Sequence, residues 1–401
     1  MQYTKIKSCP VCFSENSYKL SSTKKQTGYF KEKVTVRLNI CNICSFVYQN
    51  PRISKEKLDE YYIKSNNSSG KTFFFKKNNS YKYNLNTKRL FFLKKNIKTD
   101  QRKKLLEIGA STCDFLNLLD KKEYQLFAIE PTKQKTNKDI KYFNETFEKF
   151  KTSQKYEIIA CFHTLEHIFD INIFLEKISK ILNENGYLFL EVPNSLKKGF
   201  YTIEDFYPFE HMSYFNYDNL KFFLSRYGFH SLKVDKTDKT NLRVIAKFNF
   251  QRKSIVVNKK KLIDNKNYFI KNYRDYQLKN LQITKMIKKK IYQILNIAHK
   301  NNLIVAIYGA GIHTHYLFEI ISKKRKTIKH IFDSDIKKKD KLFLNYKIKH
   351  FRQLNKTKVD IVLISSVNFE NEIYEHLNKV KSDKNLKIIK LYNDLNLNWE
   401  K

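Results

Sequence analysis

Four of the six cysteines stand in two C-x-x-C pairs, Cys9 and Cys12 in CPVC and Cys41 and Cys44 in CNIC, with 28 residues between the pairs. A C-x-x-C turn aims two thiolates at one point, and two such turns complete a tetrahedral shell for Zn2+. Four thiolates leave no open coordination position, so the expected role of the metal is structural. A disulfide framework is the rival reading, and the paired spacing argues against it. Cys113 and Cys161 lie in apolar surroundings and read as core residues. Two further stretches carry acid–base chemistry: HTLEHIFD, with His163, Glu166 and His167, and EHMSYF, in which Glu210 and His211 precede an aromatic turn. A histidine beside a carboxylate can act as a general base; a histidine packed under the following helix is the equal alternative. Each member of the HTLEH trio, taken alone, fits a helix cap with satisfied imidazoles. The trio is not read as a metal site, because no second ligand cluster accompanies it.

These residues need a scaffold, and from about Thr99 the pattern alternates strand and helix. KKLLEIGA reads as a strand, TCDFLNLLDKK as a helix, and YQLFAIEP as a second strand ending at Glu130. YEIIACFHTLEHI is a strand running into a loop, INIFLEKISKILNENG a helix, and GYLFLEVPN another strand. Apolar runs of this length between helices imply a parallel sheet buried on both faces, with ligands at the carboxyl ends of the strands. An acid ending the second strand, here Glu130, can accept both hydroxyls of a ribose, in an NAD site as well as in others.

The segment resembles the class I S-adenosylmethionine-dependent methyltransferases. Their first motif is an acid, any residue, then G-x-G-x-G; here it reads Glu107, Ile108, Gly109, Ala110, Ser111, Thr112, Cys113. The first glycine is kept, and Ser111 and Cys113, both small, replace the later two. The resemblance implies a cofactor site at Glu107, Gly109, Ser111 and Glu130. HTLEHIFD resembles the loop after the fourth strand, which places His163 and Glu166 on the methionine and substrate side. A dehydrogenase stands behind this reading.

The order of parts resembles the nucleotide-sugar C-methyltransferases of deoxysugar pathways over nearly the whole chain: paired cysteines, the methyltransferase unit with its EH loop, TNLRVIAKF, a helical connector and a second α/β unit. That family's Tyr-x-Glu-His motif implies catalytic roles for Glu210 and His211, with His211 removing a proton beside a 4-keto group so that the enolate takes the methyl. Pro208 holds the tyrosine position and the nearest tyrosine is Tyr207. The expected architecture is therefore α/β: a zinc-binding module (1–50), a helical linker and substrate-side segment (51–98), a Rossmann-like methyltransferase domain (99–250), a Lys-rich helical connector (251–300) and a second Rossmann-like domain (301–401). The last contains NLIVAIYGAGIHTHYLFEIIS, a strand–turn–helix with Thr314 where a third glycine would stand, and a strand ending in Asp333. In the family this domain closes over the nucleotide-sugar, and its helix amides at Gly311 to Thr314 could receive an anion.

Composition bounds the alternatives. The formal charge of +39, from 78 Lys and Arg against 39 Asp and Glu, invites a nucleic-acid reading. The accompanying wealth of Asn, Ile, Phe and Tyr is the skew of an A/T-rich coding sequence, and the lysines are spread throughout. An RNA methyltransferase with a zinc ribbon remains the alternative, without an N/D-P-P-Y-type motif or a recognisable RNA module to support it. A non-catalytic scaffold of methyltransferase fold is the other, motivated by Ser111 and Cys113. No apolar run approaches bilayer-spanning length and MQYTKIKSCP has no apolar signal core, so a cytoplasmic protein is expected; the resemblance implies a nucleotide-activated sugar as its substrate, and its oligomeric state stays open.

Overall fold

The computed structural model describes residues 1–25, 32–68, 79–98, 100–132, 137–197, 207–238, 240–251, 258–321, 326–367 and 369–392. The chain begins with β1 (Tyr3–Thr4), β2 (Ser17–Lys25), β3 (Val34–Cys41), β4 (Val47–Gln49), β5 (Arg52–Ile53), α1 (Lys55–Ser68) and α2 (Asn79–Asn96). The middle comprises β6 (Lys103–Ile108), β7 (Tyr124–Ile129), β8 (Ile140–Phe143), β9 (Tyr156–Phe162), α3 (Ile171–Ile181), β10 (Leu182–Pro193), β11 (Ser213–Tyr214), α4 (Tyr217–Ser225), β12 (Phe229–Val234) and β13 (Asn241–Phe248). The remainder is α5 (Lys259–Lys300), β14 (Val305–Tyr308), α6 (Ile312–Ile320), β15 (Ile328–Asp333), β16 (Leu342–Phe343), β17 (Tyr346–His350), β18 (Ile361–Ile364), α7 (Glu370–Val380) and β19 (Lys387–Lys390).

The central sheet has the order β12-β13-β10-β9-β6-β7-β8. Strands β10, β9, β6, β7 and β8 are parallel, and β13 runs antiparallel to both β10 and β12. The parallel strands are apolar because both faces are covered: six of the seven residues of β9 are buried. α3 starts where Asp170 accepts the amides of Asn172 and Ile173 at 2.9 and 3.2 Å. It buries Ile171, Phe174, Leu175, Ile178 and Ile181, one helical stripe, against the sheet. The strand order reverses between β6 and β9, which opens a crevice at their carboxyl ends.

Two expectations about local structure are corrected. TCDFLNLLDKK forms no α-helix, only a 3-10 turn at Leu116–Leu118. Ser111 and Cys113 both have left-handed backbone, φ 46° and 58°, so helical geometry cannot start until after Cys113, and Asp120 caps a new turn at Lys122. The NENG tail of the expected helix lies within β10, at an irregularity in its pairing with β9 between Leu182 and Tyr187.

The amino-terminal module is joined to the central domain by a shared sheet. β2, β3 and β4 form an antiparallel meander, and β11, some 160 residues later in the chain, adds to the far edge of β4. Gln49, buried at the end of β4, donates through Nε2 to the carbonyls of Pro208 (3.2 Å), Phe209 (3.0 Å) and His211 (2.7 Å), and its amide donates to Met212 O at 3.1 Å. Cys9, Val11, Cys41, Cys44, Phe46 and Tyr48 belong to the same apolar core as Leu106, Ile108 and Phe223. α5 runs 42 residues along two cores in turn. Phe269, Tyr273 and Tyr276 pack with the β3 and β4 residues, and Ile283, Ile287, Ile291 and Leu295 pack on the last sheet.

That last sheet has the order β16-β17-β15-β14-β18-β19, parallel except for β16. No helix among the described residues is long and apolar enough to cross a membrane. Replacing Gln49 with Leu leaves buried backbone carbonyls without their donor and is expected to cost about 1–3 kcal/mol, read from urea unfolding.

Candidate active site

At the end of β6 the chain turns at Gly109, φ +74°, whose amide donates to Ile129 O at 2.9 Å. A Cβ at this position would strike Thr164 Oγ1, which itself donates to Phe162 O at 3.1 Å. Space and backbone conformation thus both demand glycine here. Glu130 is nearly buried and ties two loops together. Its Oε2 accepts the Ser111 amide at 3.0 Å, and its Oε1 accepts the Thr132 amide at 3.1 Å and the Thr132 hydroxyl. Three of the carboxylate's roughly four lone-pair sites are therefore taken, and a ligand gripping both oxygens would displace the Thr132 hydroxyl. Glu107 is buried and its Oε2 accepts no hydrogen bond. Burial pushes its carboxyl up to about 8, with Arg89 pulling the other way, so it carries a proton at neutral pH.

His163 lies across the crevice on the loop after β9, with left-handed backbone, φ 48°. Its Nε2 is 3.1 Å from Glu191 Oε1 and its Nδ1 is 3.4 Å from Glu166 Oε1. Glu191, on β10, is fully buried and accepts Arg89 of α2 on one oxygen and Arg243 Nε of β13, at 2.5 Å, on the other. Arg243 also donates to Asp235 at 2.6 Å, and Arg89 lies 4.3 Å over the Phe162 ring. Burial opposes the charge on Glu191, yet His163, Arg89 and Arg243 hold its carboxyl far below the usual range. Burial likewise pushes the His163 imidazole down, but the Glu166 and Glu191 carboxylates outweigh it and raise the group to about 9. At neutral pH His163 is an imidazolium, a donor and not a base. Glu191 stands inside the quoted EVPN and Arg243 inside TNLRVIAKF, but nothing local marks them as partners. Arg89 carries no sequence signal at all.

The Glu210–His211 loop reaches this end of the sheet because β11 pairs with β4 and the Met212 amide donates to Glu166 O at 2.8 Å. The His211 ring stands perpendicular to the His167 ring, 4.5 Å between centroids, and His167 Nδ1 is 2.9 Å from the Tyr62 hydroxyl. Tyr62, on α1, had no signal in the sequence beyond its aromatic type. Tyr207 is buried in an aromatic floor with Tyr214, Phe269, Tyr273 and Tyr276, at centroid distances of 5.2, 6.2, 5.1 and 6.0 Å. The expectation that HTLEH has no accompanying ligand is corrected. One donor atom each from Glu166, His167 and His211 lies within 4.8 Å of the other two. The folding of β11 onto β4 joins two motifs that the sequence holds 44 positions apart.

The four paired cysteines converge as well. Cys9 and Cys44 Sγ are 3.5 Å apart, Cys12 and Cys41 Sγ are 3.4 Å apart, and all four lie within 4.8 Å. A ZnS4 tetrahedron with bonds of about 2.3 Å spaces its sulfurs by about 3.8 Å, so the donor set fits Zn2+. In the carboxy-terminal unit the turn at Gly309 is closed. A Cβ there would meet Ser365 O, and Thr314 Oγ1 reaches Ser365 Oγ at 2.8 Å. Asp333 accepts the Ala310 amide at 2.8 Å and Lys338 Nζ at 3.0 Å, so the acid placed to read a ribose is already ion-paired.

Residues 75–234 match the family model of the methyltransferase domain, and residues 300–389 match that of the C2185-like N-terminal domain. No curated protein matches the chain. Among solved structures, the chain is similar to the Burkholderia thailandensis 1,6-didemethyltoxoflavin-N1-methyltransferase with 1,6-didemethyltoxoflavin and S-adenosylhomocysteine bound. That match has 12% identity, covers 51% of this chain and 96% of that one, and has a TM-score of 0.38. It is also similar to an S-adenosylmethionine-dependent methyltransferase of Mesorhizobium loti (11% identity, 39% and 95% covered, TM-score 0.33). A third is the plantazolicin methyltransferase BpumL in complex with a monoazolic desmethylPZN analog and SAH (13% identity, 48% and 91% covered, TM-score 0.36).

Two predictions follow from this geometry. Gly109→Ala is expected to destabilise the protein by about 1–3 kcal/mol through forced left-handed backbone and the clash with Thr164. Adding Thr164→Ala should recover part of that loss, a coupling that a double-mutant cycle in urea measures. The second concerns pH. The imidazole of His163 is raised from 6.5 to about 9, so its contribution to stability is complete below pH 6.5 and lost as pH climbs through 9. NMR titration should place the group near 9, and His163→Gln should flatten the stability profile between those two pH values.

Proposed function

We propose that this chain, a methyltransferase by its domain at residues 75–234, takes its methyl group from S-adenosylmethionine and delivers it to a nucleotide-linked sugar or related precursor. Methylation at carbon through an enolate is favoured, with His211 as the base. One observation carries the reading: the β4–β11 seam and the Met212 amide on Glu166 O bring the Glu210–His211 loop to the loop after β9, at the end of the sheet where β6 and β7 present Gly109 and Glu130. That end suits the donor. Gly109 makes the left-handed turn that brings the loop backbone to the end of β6, Glu107 Oε2 is buried without a hydrogen bond, and Glu130 Oε2 keeps a lone pair. Bound there, S-adenosylmethionine supplies a methyl group already activated by its sulfonium.

The chain's own residues then have modest duties. Glu130 accepts a ribose hydroxyl, and Glu107 and the Ser111 backbone line the nucleoside. His163 and Glu166 border the methionine side, where the His163 imidazolium can receive a carboxylate. His211 removes the proton from the acceptor carbon, Glu210 orients it, and Tyr207 supports the loop from the aromatic floor. The acceptor's phosphates suit a chain of net charge +39. Zn2+ on Cys9, Cys12, Cys41 and Cys44 would hold the β2–β4 module together, and with it the loop that Gln49 anchors. A reducing cytoplasmic setting keeps those thiols available for metal.

Purified protein is expected to carry one zinc per chain by elemental analysis, and Cys44→Ser to lose both that zinc and most methyl transfer. His211→Ala should bind S-adenosylhomocysteine as the parent does, by calorimetry, while transfer falls by about 10²–10⁴-fold. The deciding assay follows label from S-adenosylmethionine into a panel of nucleotide-activated 4-keto sugars, with mass spectrometry locating the methyl. Unchanged single-turnover transfer by His211→Ala would remove the base assignment.

A further inference from the structure

Glu166 is 1% exposed, and neither of its carboxylate oxygens accepts a hydrogen bond. Its ionic neighbour is His163 Nδ1, 3.4 Å from one oxygen. A buried carboxylate is costly unless it is paired or coordinates a metal, and this one long contact to His163 leaves most of the acceptor capacity of Glu166 unused. The 3-10 turn Leu165–His167 aims this group and the next residue, His167, toward His211, with one donor atom from each side chain inside a 4.8 Å span. His167 Nδ1 already meets the Tyr62 hydroxyl at 2.9 Å. In the tautomer whose Nδ1–H donates to Tyr62, Nε2 presents its lone pair, which is the outer-shell arrangement that metal-ligating imidazoles carry.

We propose that Glu166, His167 and His211 form a second divalent-metal site, suited to Zn2+ or another borderline cation such as Co2+. Two imidazole nitrogens and one carboxylate oxygen make a three-ligand set with positions left open, unlike the closed shell of the four cysteines. A cation here replaces the His163 imidazolium as the partner of Glu166, and His163 keeps its contact with Glu191. Coordination also takes the His211 lone pair that proton abstraction needs. Metal and base therefore exclude each other at this residue, and the cation inhibits transfer; this second part rests on His211 being the base.

The test titrates Co2+ into the full chain already holding zinc at its cysteines. The expected result is one further equivalent with weak visible d–d bands of nitrogen and oxygen coordination and no thiolate charge-transfer band. His167→Ala and Glu166→Gln should each lose that equivalent while retaining the cysteine-bound zinc and native circular dichroism. Tyr62→Phe should weaken it by about 10–100-fold. Methyl transfer by the parent should fall in step with occupancy. Failure to bind a further equivalent, or its persistence in both ligand variants, overturns the site. Binding without loss of transfer upholds the site and overturns the exclusion, and with it His211 as the base.

Discussion

The pairing of β4 with β11 is the constraint on which the rest depends. It is only two residues long on the β11 side, but Gln49 reinforces it with three side-chain bonds to the carbonyls of Pro208, Phe209 and His211 in the loop that leads into it. Through it the cysteine module becomes part of the central domain's wall. Its cysteines share an apolar core with β6 and α4, so that whatever orders the four thiols also orders the loop with Glu210 and His211. Burial of this mixed core provides the non-directional stabilisation, and the Gln49 bonds supply the register that burial alone cannot.

The second organising element is the buried charge on Glu191. A carboxylate with no exposure survives because Arg89, Arg243 and His163 approach it from three different elements. Such a cluster adds little net stability compared with an apolar core, since each ion is desolvated, but removal of one member is severe. The cluster also sets the charge of the histidine beside it. His163, between two carboxylates, is held as a cation. His167 and His211 sit farther from that hub, edge to face, with a tyrosine on one and the loop backbone behind the other.

The loop after β6 shows how far a glycine-poor sequence can go. Glycine is retained at position 109, where a Cβ would collide with Thr164, while Ser111 and Cys113 adopt left-handed backbone without it. Glu130 compensates by accepting the Ser111 amide, which pins the strained residue in place. The same strain is what prevents the expected helix from forming after β6. In the carboxy-terminal unit the comparable turn is tied off by Lys338 on Asp333 and by Thr314 on Ser365, so two junctions of similar sequence differ in what they leave open.

Much of this was legible in the residues. Alternation of apolar runs with amphipathic helices identifies a buried parallel sheet, because a strand covered on both faces can be nothing but apolar. The spacing of the cysteines marks a four-thiolate cluster, because C-x-x-C geometry is local, and the apolar stripe of α5 is a matter of helical period. The sequence could not tell that HTLEH and EHMSYF make one cluster, that Tyr62 belongs to it, or that Glu191 has two arginines. Those contacts join positions tens to hundreds of residues apart, and only chain packing, through the β4–β11 seam and the crossing of α2 over the sheet, decides which distant side chains meet.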